Sequence, residues 1–248
     1  MTTITPTHTN STTHAGTTPR SNGQVDTKSL PDAVPARGDD AVQTMARVMA
    51  TPMLAMGLMA VLAGLGTGIA AGVNFGDAFA PGSVVADLGR AEALVQITGA
   101  VLFLGMGMIL GGITMTLVNV VRSLRDAGTA VQESLGAEPV QLAKPLSGKL
   151  TPLVMITGVM IELGAFVTGL VAAATIGNVS AASIADPAAA RAGDLADIGF
   201  VRAASAWLPG LRLTGLALVL LSVVLALTTI QKAIRFQGRR ITQLAEPI

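Results

Sequence analysis

Cysteine and tyrosine are absent from this sequence of 248 residues, tryptophan occurs once, and the two histidines, His8 and His14, lie in a polar N-terminal stretch. Without cysteine there are no disulfides and no thiolate metal or iron–sulfur sites, and histidine-ligated haem within an apolar segment is excluded too. No cofactor and no metal are therefore expected. Charge is also scarce: charged residues make up 12% of the chain against 51% hydrophobic, and the mean hydropathy is +0.63. A soluble domain carries about twice that share of charge. The solvent for most of this chain is a lipid bilayer.

The shortage of aromatics implies a thin interfacial belt, and glycine and alanine fill the freed positions. Helix contacts then rest on close backbone approach between small residues. Residues 1–45 are rich in Thr, Ser, Pro and Gly, a composition that cannot bury enough apolar surface to offset the entropy of folding, so a disordered tail is expected there. A plastid transit peptide is the rival reading of the same stretch, which has no acidic residue before Asp26.

Four apolar runs follow, at about 51–73, 93–121, 150–176 and 208–230. Each is long enough to cross a hydrocarbon core of about 30 Å, which takes roughly 20 helical residues. The expected fold is an all-α integral membrane protein, a four-helix bundle of four transmembrane helices. It divides into the tail, a first hairpin with a cytoplasmic extension at 46–140, and a second hairpin with a basic C-terminus at 141–248. Lys and Arg near the helix ends set the orientation. Arg47, Arg122, Arg125, Lys144, Lys149, Lys232, Arg235, Arg239 and Arg240 gather on one side, and Arg90, Arg191, Arg202 and Arg212 on the other. This bias predicts a multi-pass protein, of the bacterial inner membrane, with both termini cytoplasmic.

The outer loops carry helix signals of their own. Asp186-Pro187 reads as an N-cap followed by proline at the first helical position, and Leu195, Ile198, Val201, Ala204 and Leu208 recur at near-helical spacing. A helix lying along the outer surface is expected there, with Asp194, Asp197 and Arg202 in water and Trp207 at headgroup level. Ser83 is a candidate cap for a shorter counterpart in the first outer loop.

The two halves resemble each other. Thr51-Pro52 matches Thr151-Pro152, Gly57-Leu58-Met59 matches Gly158-Val159-Met160, and Thr67-Gly68-Ile69 matches Thr168-Gly169-Leu170. Ala86-Asp87-Leu88-Gly89 matches Ala196-Asp197-Ile198-Gly199, and Thr98-Gly99 matches Thr214-Gly215. The order is kept while the offset grows, as insertions in the second half would produce. Two-span units share one orientation, so the expected repeat is parallel, about an axis along the membrane normal.

Two sets of residues are candidates for more than lipid contact. Ala60, Gly64, Gly68 and Gly72 in the first span, and Gly158, Ala165, Gly169 and Ala173 in the third, form small-residue stripes suited to close helix packing. That packing is expected either within the bundle or across a homo-oligomer. Glu162 is the one acid deep inside a span, about 16 Å of helix from its inner end and on the small-residue face. A carboxylate at that depth costs on the order of 3 kcal/mol by insertion scales. It is read either as a neutral hydrogen-bonding strut or as a group that handles a proton or cation. Arg212, placed near the outer end of the fourth run, is expected to lie some 20 Å away and to extend to the headgroups.

Ser222 has no general base in reach along the sequence, so no catalytic residues are expected and an enzyme is disfavoured. The functional expectation is a non-catalytic membrane subunit, packed with copies of itself or in a larger membrane complex. Membrane lipid is its solvent partner and nucleic acid is not expected as one. The alternative is a small proton- or cation-handling channel or transporter that uses Glu162.

Overall fold

The computed structural model describes residues 33–35, 41–78 and 88–245, and almost all of them are helical. Four helices are long and apolar enough to cross a membrane. They are α1 (Ala41–Ala78), α2 (Leu88–Ser134), α3 (Leu146–Gly177) and α5 (Ala192–Ala245), with the five-residue α4 (Ala181–Ala185) between the last two. By length and composition these helices are compatible with an integral membrane protein. Every long helix exceeds the apolar run within it, because polar flanks continue the same helical turn beyond the hydrocarbon thickness.

Ser83 and most of the N-terminal tail lie outside the described residues. Two parts of the tail are structured: Ala33–Pro35 form a strand, β1, and residues 41–45 already belong to α1. β1 pairs antiparallel with β2 (Val140–Leu142), Val34 opposite Gln141. Helix α2 ends just before β2 in a Schellman closure. Gly136 takes φ +71°, its N–H donates to the Glu133 carbonyl, and the Ala137 N–H donates to the Gln132 carbonyl. Gln132 is fully buried and pins β2 by donating to the Val140 carbonyl (3.1 Å) and accepting from the Val140 amide (2.9 Å).

The long helices form two hairpins, α1 with α2 and α3 with α5, and α2 also packs against α3 and α5. Close backbone contact holds each hairpin, and glycines make it possible. A Cβ on Gly57 would stand 2.8 Å from the Ile109 amide and 2.9 Å from the Gly105 carbonyl; one on Gly158 would stand 2.9 Å from both the Val219 amide and the Gly215 carbonyl. The stripes are spent largely inside the chain. Gly64 faces Leu102 and Gly68 faces Thr98, while Gly158, Ala165, Gly169 and Ala173 are all buried; only Gly72 meets nothing within 4 Å.

Interhelical hydrogen bonds supplement this packing. Thr98 donates to Thr67 (3.1 Å) between α2 and α1, Asn119 donates to the Ala46 carbonyl (3.2 Å), and the Thr114 and Ser222 hydroxyls meet at 3.0 Å between α2 and α5. Each is worth about 0.6 kcal/mol in a membrane, too little to hold a bundle without the small-residue contacts.

The connection between α3 and α5 departs from expectation. Asp186 does cap, accepting from the Ala188 amide, but only for one 3-10 turn, Pro187–Ala189. From Ala192 onward there is no separate surface helix: α5 runs unbroken through Pro209 to Ala245. Ile198, Val201, Ala204 and Leu208 pack against Ala172, Ile176 and Val179 of the α3 end, so they extend the bundle core outward. The physical reason is the buried face itself, which continues on α5 from Val201 to Arg240 in steps of three or four residues. A helix with an uninterrupted inward stripe has no cause to bend away at Leu208.

Candidate functional site

The continuity of α5 moves Arg212 from the rim into the bundle. With the helix beginning at Ala192, Arg212 lies twenty residues from its start, on the same inward stripe as Leu208, Gly215, Val219 and Ser222. It is 7% exposed, so the expected reach to the headgroups is corrected. Orientation by charge then rests on eight exposed or half-buried basic residues against three, with the buried Arg212 and Arg240 left out of their respective groups.

Glu162 is 2% exposed and sits on the buried face of α3, where Met155, Gly158, Glu162, Ala165, Gly169, Ala172 and Ile176 alternate three- and four-residue steps. The register of the α3/α5 pair fixes its level. Gly158 lies opposite Gly215 and Val219. Glu162 is one turn nearer the α4 end on α3, and Arg212 is about one turn nearer that end on α5, so their α-carbons share a level. The expected 20 Å separation is thereby corrected as well.

Each charged side chain enters space left by glycines on both neighbours. Arg212 lies between α2 and α3: its Nη1 occupies the place where a Gly99 Cβ would be, and its Nη2 is 2.7 Å from the corresponding point at Gly169. The Phe103 ring centre is 5.9 Å from the guanidinium carbon, within cation–π range. Glu162 presses against α5 and α2, its Oε1 3.0 Å from a Cβ position on Gly215 and its Cγ 3.4 Å from one on Gly107.

Arg212 is the charged group that acts on Glu162, and the Leu216 amide lies near the carboxylate. Yet among the described residues no ion pair of 4.0 Å or less joins the two, and neither carboxylate oxygen has a hydrogen-bond partner of ordinary geometry. Nε and Nη2 of Arg212 are buried without partners as well. Opposite charges thus face a shared low-dielectric interior, attracted but unbonded. Such a pair tolerates, at one atom or the other, a proton, a water or a small ion.

No group of His, Cys, Asp and Glu able to hold a metal occurs among the described residues. Sequence reasoning missed Arg212, Phe103, Gly99, Gly107 and Gly215 as surroundings of the acid. For Arg212 the signal was present: the series Leu195 to Leu208, extended by one more turn, arrives at residue 212 on the same face. Comparison with known proteins gives no match, whether to family models, to curated proteins or to solved structures.

Proposed function

We propose that the protein is a small membrane transporter or channel in which Glu162 and Arg212 form the ion-handling site. The observation that carries this reading is the pair of opposite charges, buried on facing helices, in which both carboxylate oxygens and the Nε and Nη2 of the guanidinium find no hydrogen-bond partner of ordinary geometry. A purely structural pair in so dry a place needs direct, well-formed bonds to offset the desolvation of both ions. A pair held apart leaves each group room to exchange partners: protonation of the acid weakens its attraction for the guanidinium, and loss of that proton restores it.

A duplication of the hairpin, which we propose from the sequence matches, accords with this reading. The contacts of the first hairpin, Gly57 with Gly105 and Gly105 with Val61, recur in the second as Gly158 with Gly215 and Gly215 with Glu162. The offset is 101 residues for both Gly57/Gly158 and Val61/Glu162 between α1 and α3, and 110 for Gly105/Gly215 between α2 and α5. These contacts align Gly105, rather than Gly99, with Gly215. At the same offset Arg212 corresponds to Leu102, so under the proposed duplication both charges stand where the first copy holds apolar residues. Charges confined to one copy suit a function more readily than packing, which the first copy achieves with Val61 and Leu102.

The second reading, a non-catalytic subunit, is favoured by the exposed apolar face of α1, which includes Met56, Met59, Leu62 and Ile69. The test separates the two. Reconstituted wild-type protein should move protons or a small ion across liposomes, and Glu162→Gln, although destabilised by the loss of Arg212's counter-charge, should show no flux in the fraction that reconstitutes folded, because an amide cannot titrate. No flux from well-folded wild-type protein under either a proton or a cation gradient returns the choice to the subunit.

A further inference from the structure

A cavity separate from the charge pair lies at the end of the bundle opposite α4. It is about 330 Å³ in volume and is enclosed by the first turns of α1 and α3, the later part of α2, and α5. Its interior is apolar, with Met115, Met155 and Ala226 all buried, whereas Lys144 and Lys149 stand exposed at its rim beside Arg125. No acidic residue is among those lining it. The Nε of Arg125 is buried without a hydrogen-bond partner, which a buried donor rarely is. The cavity begins at Thr114 on α2, seven residues and roughly 10 Å along the helix from Gly107, where Glu162 packs.

We propose that this cavity binds an anionic amphiphile with a single acyl chain, its carboxylate or phosphate held by Arg125 and Lys149 and its tail laid between Met115 and Met155. Charge and polarity change in the order such a molecule needs: cations at the mouth, thioethers and methyls within. Methionines suit a chain of variable length, because their flexible, polarisable side chains adapt to irregular apolar shapes. A cavity of about 330 Å³ lies at the lower end of the range of small-molecule sites, roughly 300–1,000 Å³, which suits a single chain of medium length. Arginine supplies a forked donor for either anion and lysine a point charge beside it.

The inference stands apart from the transporter reading, and so does its test. The protein is placed in nanodiscs of phosphatidylcholine and exposed to dodecanoate bearing a photoreactive diazirine near its chain end. Cross-links should saturate and map to the Met115 or Met155 peptides. Unlabelled dodecanoate should compete, and dodecylamine should compete at least about tenfold less well, the ratio expected from one charge-assisted hydrogen bond. Met155→Trp, which fills the cavity, and the pair Arg125→Gln with Lys149→Gln should each reduce saturable labelling by a similar factor. Competition by single-chain lysophosphatidylglycerol added to the discs would assign the ligand to the surrounding bilayer, its failure to compete would assign a free carboxylate amphiphile, and equal competition by two-chain phosphatidylglycerol would overturn the single-chain proposal. Labelling that does not saturate, that dodecylamine blocks equally, or that survives both sets of substitutions overturns the proposal.

Discussion

Glu162 and Arg212 share a level on facing helices, yet their charged ends lean toward opposite ends of the bundle. The carboxylate reaches inward to Gly215 and Gly107, the guanidinium outward to Gly99 and Gly169. The cause is general: Cα–Cβ bonds tilt toward a helix's own N-terminus, and α3 and α5 run antiparallel. Phe103, four residues from both Gly99 and Gly107 on α2, lies at the level between the two charges.

Removing one charge should therefore hurt more than removing both. Arg212→Leu leaves a buried carboxylate without its counter-charge, at a cost of about 3 kcal/mol or more. Adding Glu162→Gln to that variant should recover at least about 1 kcal/mol, read by reversible unfolding in detergent micelles. Strictly additive losses would mean that the two groups do not interact.

Glycine-to-alanine changes should have opposite signs at two positions of α3. A Cβ on Gly158 would come within 2.7 Å of the Val219 side chain and 2.9 Å of the Gly215 carbonyl, so Gly158→Ala should destabilise by about 1–3 kcal/mol. Gly164 has nothing within 4 Å, and Gly164→Ala should stabilise by about 0.5–1 kcal/mol through the unfolded chain. Thermal unfolding of the two variants in one detergent compares them directly; melting points that fall together refute the contact argument.

The charge bias predicts topology, and the fold selects the reporters. Ser183 is a poor one, because it is buried and its hydroxyl donates to Asp194 at 2.6 Å. Gly193 and Ser134 are both exposed. In intact cells an impermeant thiol reagent should label Gly193→Cys and spare Ser134→Cys, with no native cysteine to interfere. The reverse pattern inverts the protein.

Gln132→Leu should loosen the strand pair while leaving the bundle in place. The substitution deprives the Val140 amide and carbonyl of their partner, a cost of about 1–3 kcal/mol for buried polar groups. Hydrogen exchange should accelerate across residues 137–142 and remain unchanged around Glu162. Protection unchanged at 137–142 would show that the glutamine does not hold β2.

Four spans were legible in the sequence because a bilayer imposes its thickness on every apolar run, whatever the helices touch. The inward placement of Glu162 was legible for a similarly local reason: its spacing from Gly158, Ala165 and Gly169 follows from 3.6 residues per turn. The position of Arg212 was hidden, because hydropathy marks where a helix meets lipid and says nothing of how far the helix continues beyond. Only packing of Ile198 and Val201 against Ala172 and Ile176 determines that α5 starts at Ala192. That length sets the register against α3, and the register places an arginine beside an acid fifty residues away in the chain. Tertiary structure likewise decided the use of the small-residue stripes. A stripe of glycines and alanines states that some backbone can approach, and the hairpin contacts of Gly57, Gly64 and Gly158 determine that the backbone is this chain's own.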